Sequence, residues 1–237
     1  MPINYFNSAN ELRKLGNFDE AYELILNTQE LKPNYPRWVH HPFFWKKLVG
    51  GKVILTRRSP SDATFLRKIW KNKEFLNNFN CLADELPQSD NELIQILFNE
   101  YYYTIDQNNE LHWIIRDQHN TPWGILSLID ISLIHKKAEI LIGVLPDTPH
   151  AVAPTAMLTL IKFYFDLMKF NKLYSYVRSD NVHSLKGTLH LGFKLEGTLC
   201  DEIFNPIENK YANLYRTGLL KQQAQKTLSS KLAARLL

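Results

Sequence analysis

A single acidic residue, Glu139, lies inside the apolar run AEILIGV at Ala138–Val144. A carboxyl group held among apolar side chains loses hydration, which raises its pKa and lets it accept a proton near neutral pH. The pattern therefore makes Glu139 a candidate proton acceptor. The same spacing also fits a strand residue whose side chain faces solvent, and the sequence leaves both interpretations open.

The stretch LIGVLPDTPHAVAPTAMLTL at 141–160 indicates a second kind of chemistry. An apolar run ends at Pro146, Pro149 and Pro154 follow, and a long apolar segment then reaches Met168. This order predicts a buried strand, a tight turn and the start of a helix. The first N–H groups of a helix have no partner within it and lie at its positive end, so the junction predicts a site for an anion.

Composition and charge exclude several other kinds of site. The chain has 237 residues, 45% of them apolar, and a net charge of +4 from scattered Lys and Arg, so we expect a globular protein that does not bind nucleic acid. Cys81 and Cys200 form no CxxC pair, and the eight histidines show no HxxxH or HxH spacing, so no metal site is expected. The two distant cysteines, the lack of a signal-peptide pattern, and the lack of an apolar run of about 18 residues predict a cytoplasmic protein without a membrane span.

Strand and helix patterns alternate from Lys52 onward. Period-two runs predict strands and helical spacing predicts helices, in the order β-α-α-β-β-β-α-β-α-β-β. This order predicts an α+β fold in which helices cover both faces of a mixed sheet. The predicted strands lie at 52–58, 110–117, 122–132, 138–144, 172–178, 193–200 and 209–220, and the helices at 62–79, 91–103, 154–170 and 181–192.

Two short helical patterns precede this part of the chain. One is marked by Leu12 and Leu15, and the other begins after Asp19 and ends at Pro33. They resemble one tetratricopeptide unit, whose motif positions are filled by Leu15, Gly16, Asn17, Phe18, Glu20, Ala21 and Pro33. One helical hairpin cannot bury its own core, so we expect it either to pack on the main domain or to bind a partner, including a second copy in a homodimer.

The expected domains follow from these patterns. Residues 1–46 form the helical hairpin and its linker, residues 47–220 the main domain, and residues 221–237 a helical tail with weak amphipathic character. The pair Gly50–Gly51 marks the boundary between the linker and the main domain.

Three stretches of the main domain carry a family resemblance. They are LTRRSPSDATFLRKIWKN at 55–72, WGILSLIDIS with KKAEILIGVLPD within 123–147, and KLYSYVRSDNVHSLKGTLHLGFKLEGTL at 172–199. Over about Lys52 to Leu220 the chain resembles the GNAT superfamily of acyl-CoA-dependent N-acyltransferases, and within it the RimJ/RimL-like branch. The residues in register are Asn181, Ser184, Leu191, Gly192, Phe193, Glu196 and Gly197.

This resemblance implies a GNAT-type, mostly antiparallel twisted sheet with a splayed central strand pair. The strand at 138–144 parts from the strand at 172–177 near Gly143, and the pantetheine of acetyl-CoA lies in the gap. The pyrophosphate rests on backbone N–H groups at the following turn. The residues expected to bind coenzyme A are Ile142, Gly143, Val144, Leu145, His150, Ala151, Val152, Ala153, Thr155, Asn181, Ser184 and Lys186.

The turn before the helix departs from the family pattern. The family has Arg or Gln and then two glycines, whereas this chain has Thr148, Ala151 and Ala153 at those positions. Alanine keeps its N–H but restricts positive φ and crowds a phosphate. His150 or Lys186 could supply the missing positive charge. An atypical coenzyme A site, a donor carried by an acyl carrier protein, and a non-catalytic protein of the same fold are all compatible with this turn.

The resemblance also implies roles in acyl transfer to an amine. The backbone N–H of Val144 or Leu145 polarises the thioester carbonyl, and Glu139 takes the proton of the amine directly or through water. Asp130 could instead bind the cationic amine. The family's acid is often a tyrosine at the position of Thr188, so the thiolate receives its proton from water or from another residue: Tyr176, His190 or Tyr211.

The acceptor cannot be read from these residues. In this branch it can be a protein N-terminus, a polyamine, an amino sugar or an antibiotic amine. The helices at 62–79 and 91–103, with Tyr101, Tyr102 and Tyr103, are expected to line the acceptor side. The sequence thus predicts an N-acetyltransferase that uses acetyl-CoA and no metal. The alternatives are an acyltransferase that uses a carrier protein, docked by the N-terminal hairpin, and an interaction protein without turnover.

Overall fold

The computed structural model describes residues 47–72, 75–76, 79, 89–102, 109–205 and 209–237, together with four isolated residues before Lys47; for residues 101 and 102 it describes the backbone alone. The four isolated residues are Ser8, Glu11, Leu12 and Glu20, and each is helical. The predicted tetratricopeptide-like hairpin and the side chains of Tyr101, Tyr102 and Tyr103 lie outside the described residues. The domain at 1–46 therefore stays a prediction.

Eight strands form one open sheet in the described part of the chain. The strand order is β1-β2-β3-β4-β5-β6-β8-β7, and the parallel pair is β5–β6, while the other neighbours are antiparallel. This confirms the predicted α+β, mostly antiparallel sheet. The strands are β1 Leu48–Gly50, β2 Val53–Arg57, β3 Leu111–Asp117, β4 Pro122–Ser132, β5 Lys137–Val144, β6 Lys172–Arg178, β7 Lys194–Asn205 and β8 Lys210–Leu220.

Six α-helices accompany the sheet in the same described residues. They are α1 Ala63–Trp70, α2 Asp90–Tyr102, α3 Val152–Lys162, α4 Val182–His190, α5 Lys221–Leu228 and α6 Lys231–Leu236. A 3-10 turn at Pro60–Asp62 leads into α1, and a π-helical turn at Phe163–Leu167 ends α3. No helix among these is long and apolar enough to cross a membrane.

The two faces of the sheet have separate cores. On one face, inward side chains such as Trp113, Leu128 and Leu173 pack with α3, α5 and α6. On the other face, Ile114 and Ile125 pack with Leu66, Ile69, Leu93 and Leu97 of α1 and α2. We call the second face the α1/α2 face. Because successive residues of a strand point to opposite faces, β3 and β4 contribute to both cores.

The predicted boundary at Gly50–Gly51 is instead a hairpin turn. Gly50 pairs with Val53, so β1 and β2 are joined by only two residues, and Gly51 has a φ of +54°. Glycine adopts this left-handed conformation without a steric penalty, which explains the residue type. Strand β1 is only three residues long, too short for a period-two pattern to predict it.

The C-terminal tail forms two helices instead of the single predicted one. Ala224 of α5 and Ala233 of α6 are buried in the same core as α3. Thr227 Oγ1 donates to the carbonyl of Leu191 at 3.0 Å, and the N–H of Gly51 donates to the carbonyl of Leu237 at 3.2 Å. The tail therefore packs on the sheet that carries the candidate site.

Candidate active site

The two central strands part inside the sheet, as predicted, but earlier in the chain. Strands β5 and β6 pair at Lys137 with Lys172, Ala138 with Leu173, and Glu139 with Tyr174, and no further. Beyond this point β5 stays with β4 up to Val144, whereas β6 stays with β8. The predicted parting near Gly143 is thus corrected to the residues after Glu139. Each strand keeps its antiparallel neighbour, so the parallel pair separates as the sheet twists.

The parting opens a cleft with about 640 Å³ of space free of protein atoms, part of it open to solvent. Both strands and α4 form its walls. The lining residues are Glu139, Ile140, Leu141 and Ile142 of β5, Ser175, Tyr176, Val177 and Arg178 of β6, Asn181, Ser184 and Thr188 at α4, Met157 of α3, and Phe79.

Alternate residues of β5 direct their backbone N–H groups toward the β6 side, where the cleft lies. The N–H of Leu145 donates to the carbonyl of Trp123 at 2.9 Å, on the β4 side. Successive residues of a strand send their N–H groups to opposite edges, so Ile140, Ile142 and Val144 face the β6 side. The predicted role of Leu145 as carbonyl donor is therefore corrected, because its N–H is already bonded.

Of the two predicted donors this register leaves Val144, which lies about 16 Å along the strand from Glu139. The N–H of Ile140 is next to Glu139, but the pairing of Glu139 with Tyr174 uses it as a donor to the Tyr174 carbonyl. Ile142 is therefore the donor nearest to Glu139 that faces the cleft beyond the paired residues.

Gly143 lies where two phenylalanine rings cover β5 on the α1/α2 face. A Cβ at Gly143 would lie 2.6 Å from Cζ of Phe75 and 2.8 Å from Cδ2 of Phe79. The two rings stack with centroids 5.5 Å apart. Any side chain here would overlap these rings, so glycine is needed for the rings to pack against β5. The N–H of Gly143 faces β4, so it does not point into the cleft.

The turn before α3 holds several of the predicted phosphate-binding residues. His150 and Ala151 are exposed, and the N–H of Val152 donates to the carbonyl of Pro149 at 2.9 Å. Among the described residues, no backbone carbonyl accepts from the N–H of Ala151 or of Ala153. These two amides are the donors that the turn can offer to an anion.

The alanines of this turn fit without strain. Ala151 has φ −78° and ψ −17°, a right-handed conformation that needs no glycine. Thr155, by contrast, is buried beside Gly51, and its N–H already donates to the carbonyl of Ala151 at 3.1 Å. This corrects its assignment as a cofactor-binding residue.

Helix α4 brings Asn181 and Ser184 to the cleft. Asn181 Oδ1 accepts from the N–H of Ser184 at 3.1 Å, so the side chain caps the helix. Thr188 lines the cleft one turn later. Lys186 and His190 are exposed on the same helix and lie outside the cleft lining formed by the described residues.

Glu139 is buried at the point where the strands part. Only 5% of it is exposed. Loss of hydration and, secondarily, the nearby charge of Asp130 raise its pKa to about 7, against opposing effects of the Tyr176 N–H, which donates to the carboxylate, and of Arg216. The side chain can therefore exchange a proton near neutral pH, and it is not a solvent-facing strand residue.

Asp130 lies at a bulge of β4 next to Glu139. The register of β4 on β5 shifts between Ile129 and Ser132, and Asp130 has a φ of 47°. The hydroxyl of Tyr174 donates to its carboxylate. Burial of the phenol and, after it, this contact raise the pKa of Tyr174.

A cluster of charged side chains from β6, β8 and β7 lies beside this pair. The guanidinium of Arg216 stacks 4.9 Å from the ring centroid of Tyr174 and 5.7 Å from that of Tyr176. Glu196 accepts from Lys172 Nζ at 2.8 Å and lies 3.7 Å from Arg216 Nε. Tyr174 and Arg216 were not predicted as site residues. The alternation in KLYSYVR, which places Tyr174 and Tyr176 on one strand face, was the signal available for the first.

The three candidate acids are separated by the fold. Tyr176 lines the cleft. Tyr211 is 62% exposed and packs against Phe204 toward the far end of β7 and β8. His190 is exposed at the end of α4, so Tyr176 is the candidate that shares the cleft with Glu139.

Among the described residues, no group of three His, Cys, Asp or Glu side chains could hold a metal ion.

Comparisons with known proteins agree with this geometry. Spermidine N(1)-acetyltransferase of Vibrio cholerae serotype O1 is 24% identical over 176 residues, 74% of this chain and 96% of that protein. The protein of the same name from Escherichia coli K12 is 29% identical over 101 residues, 42% of this chain and 53% of that protein. A crystal structure of spermidine N-acetyltransferase from Vibrio cholerae in complex with CoA and spermine matches with a TM-score of 0.64 and 23% identity, over 73% of this chain and 98% of that one. At this identity the structural likeness establishes the fold.

The family is set by the sequence match itself. Residues 52–194 match the family described as Acetyltransferase (GNAT) domain, and they make up more than half of the 237 residues. The more specific RimJ/RimL-like branch stays a prediction, because the relatives above are spermidine acetyltransferases. The chain belongs to the GNAT acetyltransferases, the N-acyltransferases that use acetyl-CoA as co-substrate.

Proposed function

We propose that this protein transfers the acetyl group of acetyl-CoA to a primary amine of a polyamine of the spermidine type. The observation that carries the proposal is the buried carboxyl of Glu139 at the point where β5 and β6 part. The names of the relatives from Vibrio cholerae and Escherichia coli support the acceptor class.

The geometry supports a direct transfer. The pantetheine arm lies in the cleft against the backbone of Ile142 and Val144, and the thioester carbonyl accepts from the Ile142 N–H, the cleft-facing donor nearest to Glu139 beyond the paired residues. Glu139 takes a proton from the acceptor ammonium, and the neutral nitrogen attacks the carbonyl carbon. The C–S bond breaks, and the coenzyme A thiolate takes a proton from Tyr176 or from water. The nitrogen loses its second proton as the amide forms, and this proton restores the one given to the thiolate.

The charges near Glu139 support a polycationic acceptor. Glu196 is compensated by Lys172 and Arg216. Asp130 is exposed, and among the described residues no cation pairs with it. A second ammonium of a polyamine can therefore pair with Asp130 while a primary amine lies at Glu139.

The experiment is a CoA-release assay with spermidine, spermine, putrescine, a peptide with a free N-terminus, and an amino sugar as acceptors. We expect turnover with the polyamines. Turnover confined to the peptide or the amino sugar would overturn the acceptor class and leave acetyl transfer intact.

Thermal unfolding with CoA species tests the donor. A true ligand at 100 times its Kd stabilises the fold by about 2.7 kcal/mol. An acetylated carrier protein serves as the comparison donor. Stabilisation by the carrier protein and by no CoA species would replace acetyl-CoA as the donor, and the absence of both stabilisation and turnover would reject the enzyme.

Two predictions about partners remain beside this proposal. The hairpin expected at 1–46 is proposed to bind either the main domain or a protein partner, and a homodimer is a further proposal. Sedimentation of the full chain and of a chain starting at Lys47 tests both.

A further inference from the structure

We propose that Tyr174 and Asp130 form a positioning pair that spans β5 and controls the proton on Glu139. The inference rests on the proposed role of Glu139 as the base. It concerns how that base is tuned, and neither residue of the pair is required to touch the acetyl group.

The pair crosses the sheet at the point where the strands part. Tyr174 is the β6 partner of Glu139 in the last pair before the cleft, and Ile129 is the β4 partner of Glu139. Asp130 is the next residue of β4. The hydrogen bond from the Tyr174 hydroxyl to the Asp130 carboxylate therefore connects β6 to β4 across β5 at Glu139.

The backbone is bent to place Asp130 there. The left-handed region is unfavourable for most non-glycine residues, and Asp130 holds this conformation at the bulge. The following N–H, of Ile131, donates to the carbonyl of Asn109 at 2.9 Å, which fixes the bulge on its other side. Asp and Asn tolerate this conformation better than most residues, so the residue type and the backbone agree.

The groups that surround Glu139 come from several elements. Asp130 of β4 opposes its ionisation, whereas Arg216 of β8 and the N–H of Tyr176 favour it. Lys137 of β5 lies 5.7 Å from the centroid of the Tyr174 ring, and Glu196 of β7 is paired with Lys172. From the helical layer, Phe79 lines the cleft.

This arrangement gives the two members of the pair opposite effects. The charge of Asp130 raises the pKa of Glu139, and the hydroxyl of Tyr174 partly neutralises that charge by hydrogen bonding. Asp130→Asn removes the charge but keeps an oxygen acceptor and a residue suited to positive φ. Tyr174→Phe removes the hydroxyl and leaves the charge without its donor.

The test is a titration of Glu139 in the free protein and during turnover. The carboxyl carbon of Glu139 is followed by 13C NMR in glutamate-labelled protein, with Glu139→Gln assigning the resonance. The acid limb of kcat/KM is measured on the same variants. We expect Asp130→Asn to move both midpoints down by about 0.5–1 pH unit, and Tyr174→Phe to move both up by a smaller amount.

The double variant and a matched control sharpen the test. In Tyr174→Phe with Asp130→Asn, no charge remains for the hydroxyl to neutralise, so the midpoint should equal that of Asp130→Asn alone. Asp201→Asn is the control, because Asp201 also has positive φ (52°) and is exposed on β7. It should leave the midpoint unchanged.

Each outcome has one reading. Midpoints that stay fixed, or that move in the same direction in both single variants, overturn the pairing. The NMR titration needs no substrate, so it decides the inference even if spermidine is not acetylated. A lost fold is recognised by thermal unfolding, and the conservative Asp130→Asn variant then carries the test.

Discussion

Replacing Glu139 by Gln should make the protein more stable above neutral pH while slowing its reaction. The carboxyl has a pKa of 4.5 in an unfolded chain and about 7 in the folded protein. Between these values the folded state holds a proton that the unfolded state has lost, so the free energy of unfolding falls as pH rises across this window. Each unit of pKa difference corresponds to about 1.4 kcal/mol, so the full penalty is about 3 kcal/mol at pH 8.

Glutamine carries no charge and therefore avoids this penalty. Its side-chain oxygen can still accept from the Tyr176 N–H. We expect Glu139→Gln to raise the free energy of unfolding by about 3 kcal/mol at pH 8 and by less than about 1 kcal/mol at pH 5. Turnover should fall, with little change in coenzyme A affinity, because the base is lost.

The assay is urea unfolding at both pH values, alongside CoA release. Glu202→Gln is the matched control, since Glu202 is exposed on β7 and should give equal, small changes at pH 5 and pH 8. An equal change for Glu139→Gln at the two pH values would refute the burial of an ionisable Glu139. A pH–rate profile that keeps its acid limb in this variant would remove Glu139 from the role of base.

Three further substitutions test the neighbourhood of the cleft. Gly143→Ala should cost about 1–3 kcal/mol in urea unfolding, because its Cβ would overlap the rings of Phe75 and Phe79; Gly197→Ala, where nothing lies within 4 Å, is its control, and equal costs would contradict the close packing. Asn181→Ala should lose about 1 kcal/mol and weaken coenzyme A binding in calorimetry; Asn181→Asp should restore the stability, and failure to do so would argue against the cap. Tyr176→Phe should lower kcat about 10- to 100-fold with little effect on the KM for acetyl-CoA, if the phenol protonates the thiolate; an unchanged kcat would assign that proton to water.

Local patterns were sufficient for much of the sheet. Strands β4 and β6 have the bounds that the apolar, β-branched runs predicted. Glu139 stood out because a carboxyl inside an apolar run is rare, but the run alone left open whether its side chain is buried or faces solvent. The cap at Asn181 was likewise readable, since the side chain acts on a residue only three positions away.

Long-range geometry was not readable in the same way. The parting point depends on which neighbour each strand keeps, and no residue near Glu139 marks it. The direction of Asp130 depends on a bulge in β4, and no glycine next to Asp130 marks that bulge in the sequence. Arg216 is 40 or more residues from Tyr174 in the chain, so only the pairing of β6 with β8 brings them together.

The turn before α3 was judged too unfavourable from the sequence. Ala151 and Ala153 replace glycines of the family pattern, so they were expected to weaken phosphate binding. The right-handed backbone of Ala151 makes glycine unnecessary, so the substitution changes side-chain volume and leaves the backbone donors in place.

The main chain of Ile140–Val144 forms a sheet edge enclosed within the protein instead of on its rim. An exposed edge of this kind attracts strands from other molecules, but here β6 and α4 shield it. An acyl donor with an extended arm that carries amide groups can hydrogen-bond to this edge as a ninth strand would. Amide hydrogen exchange at Ile142 and Val144 should therefore slow when the donor binds, and speed up again when the product leaves.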